Sequence, residues 1–163
     1  MILWFAGGSF AIVWLVFRSP ALDYRLVMLG SILPVFDIVL GGARVLHTLI
    51  GGVAVLLIVV LATTKRRLLR RRVIGLPIGI LMHLVLDGVW AQTAVFWWPF
   101  FGWSFGDAPV PELSHGVGLT LGFEVAGAAA LWWCWTTFEL GDRANRALFL
   151  RTGHLNRSVV AEG

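Results

Sequence analysis

The segment GILMHLVLDGVW, Gly79–Trp90, sets a histidine and an aspartate four residues apart inside an otherwise apolar run. In a helix a spacing of four returns to the same face, so His83 and Asp87 project side by side. Two ionisable groups on one face of so apolar a helix act as a pair, and what surrounds them depends on the medium of the chain.

Composition points to a bilayer. With 58% hydrophobic and 13% charged residues and a mean hydropathy of +0.84, the chain lies far from a soluble domain, in which about 25% of residues are charged. Nine tryptophans and eleven phenylalanines suit membrane interfaces and lipid-facing packing. Around Gly79–Trp90 the sequence divides into five apolar segments, at about residues 1–17, 26–42, 46–64, 73–90 and 117–138, several close to the lower length limit of about 17 residues for a span. The expected fold is therefore all-α: an integral membrane helical bundle of about five transmembrane helices. Residues 1–142 form one transmembrane domain and 143–163 a basic cytoplasmic tail. The first segment reads as a retained span, because no basic residue precedes it and its first, Arg18, follows it, the reverse of a signal peptide. The lone cysteine, Cys134 in ALWWCWTTF, excludes an internal disulfide and reads as packing.

Charge sets the orientation. KRRLLRRR, Lys65–Arg72, belongs in the cytoplasm by the positive-inside rule. Alternation then brings Arg18, Arg25, Arg143, Arg146, Arg151 and Arg157 to the same side, leaving only Arg44 outside among thirteen basic residues. The expected location is the plasma or inner membrane, multi-pass, with a cytoplasmic C-terminus. A nucleic-acid partner is not expected despite a pI near 10.6, since no reading motif accompanies the charge; a juxtamembrane basic run contacts anionic lipid. Small residues at spacing four, Gly75 with Gly79 and Gly118 with Gly122 and Ala126, allow close helix approach within the bundle or in a homo-oligomer. Pro34 frees the carbonyl of Gly30 and bends the second helix just before Asp37.

At about 1.5 Å per residue, Asp37 falls about 8 Å, Asp87 about 5 Å and His83 about 10 Å inside the outer end of its helix. His47 stands at the outer start of the third segment. An aspartate left in lipid costs at least about 2.5 kcal/mol, so these groups should face one another or a wet cavity. Two aspartates and two histidines can ligate a divalent metal such as Zn²⁺, with one of the four serving as base or supporting partner. The same residues can also serve as hydrogen-bonded links between helices, and that alternative stays open.

LGSILPVFD, LHTL, MHLVLDGVW and FWWPF, in this order, resemble the membrane-bound metal-dependent hydrolase family that includes the YdjM-type inner-membrane proteins. That family has a Leu-Pro-Asp-x-Asp stretch, a Thr-His-Ser stretch after an earlier His-Arg, a His-Leu-Leu-Leu-Asp stretch and then Trp-Pro-Phe. The resemblance covers about residues 22–102, and it implies Asp37, His47, His83 and Asp87 as metal ligands. Val35 stands where the family's first aspartate would be, and Arg44 alone is left of the His-Arg element, so the implied shell is reduced. The activity implied is hydrolysis without a named substrate.

Glu124, about 10 Å inside the fifth segment, shares the depth of His83 and is a candidate base or supporting partner, or an interhelical hydrogen bonder. Asp23 at the start of the second helix favours the positive end of the helix dipole and can pair with Arg25. His115 on the outer loop is an alternative ligand, and His154 in the tail is out of reach. Trp97, Trp98 and Trp103 read as an aromatic belt, or as the rim over a site beneath. No G-x-S-x-G elbow or phosphate-cradling loop is present. The leading expectation is a hydrolase of a lipid-like ester or phosphoester at the outer leaflet, with Asp37, His83, Asp87 and Glu124 as the catalytic candidates and membrane lipids as partners. A non-catalytic structural or partner-binding membrane protein is the alternative. An ion conduit is weaker, since the ionisable groups cluster at one depth rather than crossing the membrane.

Overall fold

The computed structural model describes residues 1–36, 45–100, 102–103 and 116–161. Every regular element among these residues is helical, with no strand, as the apolar periodicity requires. The helices are α1 (Ile2–Phe17), α2 (Tyr24–Ile32), α3 (Leu49–Ala62), α4 (Arg67–Val73), α5 (Gly75–Asp87), α6 (Thr93–Phe96), α7 (Val117–Thr137), α8 (Arg143–Thr152) and α9 (Arg157–Ala161).

Local chemistry places their ends. Asp23 caps α2, its carboxylate accepting from the backbone N–H of Arg25 and pairing with the Arg25 guanidinium at 2.8 Å, as its position at a helix start predicts. Pro34 converts the end of α2 into a 3-10 turn, Leu33–Val35, so the second segment tightens at the proline instead of continuing as one α-helix. Thr48 caps α3 by accepting from the Gly51 N–H at 2.8 Å. Gly88, at φ 71°, stops α5 in the left-handed conformation directly after Asp87. These caps make most of the apolar helices shorter than the segments read from the sequence. Among the described residues one helix, α7 at 21 residues, is long and apolar enough to cross a membrane, while α1, α3 and the stretch Tyr24–Val35 are apolar but shorter.

α1 lies at the centre, packed on α7 and α2; α2 packs on α5, and α5 on α3. Two crossings are backbone to backbone. A Cβ on Gly7 would run into the Gly127 carbonyl, and one on Gly127 into Leu3, so α1 meets α7 through glycine. Likewise Gly79 faces the Val27 carbonyl and Gly30 the Leu76 carbonyl across α2 and α5, the approach that small residues allow. The Gly75–Gly79 face is thus used inside the fold. The Gly118–Gly122 face is not: among the described residues nothing lies within 4 Å of a Cβ at either glycine, and Ala126 is exposed.

The main core stacks Phe10 on Tyr24, Phe138 and Phe149, with ring centroids 4.7, 5.6 and 5.8 Å apart. Cys134 is buried in this cluster, the packing role expected for it. Phe149 and Leu155 belong to it too, so the segment expected as a basic tail folds back on the bundle. The Tyr24 N–H donates to the Gly153 carbonyl, the Leu155 N–H to Pro20, and the Arg25 guanidinium to Leu150 at 2.6 Å.

Candidate metal centre

α1 runs antiparallel to α2 and α5, which run parallel to each other, so the start of α1, the end of α2 and the end of α5 gather at one end of the bundle. His47 arrives there from outside these helices, closing the 3-10 turn Val45–His47 just before α3. The Thr48 hydroxyl donates to the Val45 carbonyl at 2.8 Å while capping α3, which fixes this turn and the histidine on it. His83 and Asp87 lie one turn apart on α5 and both face inward, as the spacing of four predicts. Ligand atoms of His47, His83 and Asp87 all fall within 4.8 Å of one another, and all three side chains are buried.

The His83 ring is held on two sides. Its Nδ1 sits 2.7 Å from the Ser31 carbonyl, in the last turn of α2, where main-chain carbonyls lack helical partners. A carbonyl only accepts, so Nδ1 carries the proton and the lone pair belongs to Nε2, the tautomer that ligates a metal. Phe5 of α1 lies against the ring with centroids 4.1 Å apart, and the His47 ring meets it edge-on at 5.1 Å. The supporting layer is polar as well: the Ser31 hydroxyl is within donating distance of the Phe5 carbonyl, 3.0 Å, and lies 3.0 Å from the Ser9 hydroxyl. The Trp4 indole N–H donates to the Leu86 carbonyl at 3.1 Å, tying the start of α1 to the turn that carries Asp87.

Two imidazoles and a carboxylate suit a divalent transition metal, and three such protein ligands are the number that leaves a fourth position open in catalytic zinc sites. Tetrahedral ligation at about 2.0–2.1 Å separates ligand atoms by about 3.4 Å. A group whose ligand atoms already lie within 4.8 Å of one another could hold such an ion once they close to that spacing. The donor set therefore fits the ion.

Asp37, expected as the fourth ligand, lies outside the described residues, as do Arg44 and His115. The turns that flank the first two, Leu33–Val35 and Val45–His47, pack against each other beside the site. Glu124 accepts from the Leu3 N–H at 2.9 Å and pairs with the Met1 amino group at 3.1 Å, satisfying main-chain donors at the start of α1. Depth along α7 agreed with His83, but the side chain points to the start of α1. Phe5, Ser9 and Ser31 were missed from sequence; small hydroxyls inside apolar segments were the one signal available. The aromatic loop covers this end, with Val95 packed on Leu84 and Val89, and with the Trp98 indole donating to the Trp103 carbonyl at 3.1 Å. Trp103 and Phe100 are exposed.

No family model, curated protein or solved structure matches this chain.

Proposed function

We propose that the chain is a multi-pass membrane protein of about five spans, whose outer half holds a divalent metal, Zn²⁺ first among candidates, and which hydrolyses an ester or phosphoester of a lipid-like substrate. The observation that carries the reading is the buried His47–His83–Asp87 group. The membrane part is supported by apolar side chains turned outward on several helices, such as Val16 at 67%, Ile58 at 65% and Val125 at 69% exposure; a water-facing surface rarely gathers so much apolar area. The orientation is supported by the charge distribution: the helices carrying the arginine clusters meet Ser19–Leu22, at the end opposite the histidines.

In this reading His47, His83 and Asp87 would hold a divalent cation, which would supply Lewis acidity toward the scissile group and lower the pKa of water. His83 presents Nε2 because Ser31 holds its other nitrogen, and Phe5 keeps bulk water from the ring. Asp37 remains the proposed fourth ligand or base, and Glu124 is held by the start of α1. The resemblance to the membrane-bound metal-dependent hydrolases belongs to the same proposal, because His47, His83 and Asp87 are three of the ligands it implies.

A second reading is favoured by one specific contact. The His83–Ser31 hydrogen bond joins α5 to α2 and would do so in a purely structural membrane protein. Elemental analysis of the purified protein beside His83→Ala separates the two: about one equivalent of metal lost on substitution supports the hydrolase. No metal in the wild type leaves a polar clamp.

A further inference from the structure

We propose that the end of the bundle opposite the histidines carries a second site, which binds a phosphate-bearing anion between four arginines. A cavity of about 400 Å³ opens there, lined by Arg71 and Arg72 of α4, Arg151 of α8 and Arg157 of α9, with His154 between the last two. That volume lies in the range of small-ligand sites, about 300–1,000 Å³. No acidic side chain lines it, and the ion pairs among the described residues, Met1–Glu124 and Arg25–Asp23, involve none of the four. Arginines from three helices therefore border one space with no acidic side chain in its lining among the described residues, which favours the entry of an anion.

The geometry selects phosphate. A guanidinium fork matches two oxygens of one anion at a time, so four forks call for an anion with several equivalent oxygens and more than one charge. A single carboxylate provides too few. The cavity is also built before binding. α8 and the turn after it are fastened to α2 and its preceding loop by the Tyr24–Gly153, Leu155–Pro20 and Arg25–Leu150 hydrogen bonds, which fixes the main chain that carries Arg151 and leads to Arg157. An adjoining cavity of about 510 Å³ shares Arg71 and Arg157 and continues along Leu22 and Ile74. Leu68 stands 83% exposed at the rim. An anionic head with an apolar tail fits this shape, so the phosphate can come from a phospholipid head group as well as from a water-soluble ester. The site is remote from His47, His83 and Asp87 and stands whether or not they bind metal.

The test uses the full chain purified in neutral detergent and titrated calorimetrically with inorganic phosphate and, separately, with short-chain phosphatidylglycerol. One double variant, Arg71→Gln with Arg157→Gln, removes two lining charges; the other, Arg67→Gln with Arg70→Gln, removes two from the same basic run outside both cavities. Arg67, Arg71 and Arg157 are exposed and Arg70 is half-buried, so thermal melting should confirm that both variants fold. At about fivefold per arginine, the first variant should weaken binding about 25-fold, and the second by about twofold through general charge alone. Tighter binding of the lipid than of inorganic phosphate, with this dependence, identifies a head-group site. Equal binding of the two probes, with the same dependence, identifies a site for soluble phosphate. Equal losses in the two variants, or no binding of either probe by the wild type, would overturn the proposal.

Discussion

His83→Ala separates a structural from a metal-binding histidine by a magnitude as well as a direction. Without metal, the substitution removes a fully buried ring, its contact with Phe5 at 4.1 Å and its 2.7 Å hydrogen bond to the Ser31 carbonyl. An aromatic contact is worth about 0.5–1.5 kcal/mol and a hydrogen bond about as much, and the residual cavity adds to both, so the loss is about 2–4 kcal/mol. For a chain of this size about 1 kcal/mol moves Tm by about 2–4 °C, so the metal-free variant should melt about 4–16 °C lower. Metal at about 100 times its Kd adds about 2.7 kcal/mol to the wild type, a rise of about 5–11 °C over the chelated protein. His83→Ala should show the first effect and lose the second. Differential scanning fluorimetry in detergent, with Zn²⁺ or with chelator, reads both. A wild type that melts identically in the two conditions, or a variant that keeps the full metal-dependent rise, refutes the ligand assignment.

Glu124→Gln should keep the metal response and lower Tm by a few degrees at most, since its ion pair is partly exposed and such pairs contribute about 0–1 kcal/mol; loss of bound metal on this substitution would return Glu124 to the site. Gly127→Val drives side-chain atoms into the Leu3 backbone and should cost at least about 1–3 kcal/mol or abolish folding. Gly118→Val, facing open space, should leave Tm of the purified protein unchanged, and an equal penalty for both in a melting assay would refute the α1–α7 crossing. Asp142 accepts backbone N–H bonds from Asn145 and Ala144 at 3.0 and 2.8 Å, which hold its carboxyl below its usual 3.8. Its folded value is depressed, so its contribution is complete above the unfolded value and disappears as pH falls through the folded one. Melting of the wild type should therefore drop more steeply below about pH 4 than melting of Asp142→Asn, and parallel acid limbs would show that the cap carries no charge-dependent stability.

The sequence by itself determined what depends on a residue's own helix. Spacing of four put His83 and Asp87 on one buried face, because helical period is a local property of the backbone. Asp23 and Arg25 paired as the start of a helix dictates, and the Gly75–Gly79 ridge met α2, since a backbone without Cβ atoms invites close packing. Only the tertiary structure decided what depends on the neighbours. Depth along an axis placed Glu124 level with His83, but depth leaves the direction around the axis open, and packing turned that carboxylate to the start of α1. The same rotation buries Gly127 against Leu3 and leaves Gly118 and Gly122 outside. His47 joins His83 across a long stretch of chain because Thr48 closes its turn against the bundle. The Ser31 carbonyl that fixes the His83 tautomer carries no sequence signal, since every residue has a carbonyl. Charge marked residues 143–163 as a tail, yet Phe149 and Leu155 find an apolar cluster on α1 and α2, and burying them there leaves Arg143, Arg151 and Arg157 exposed to water.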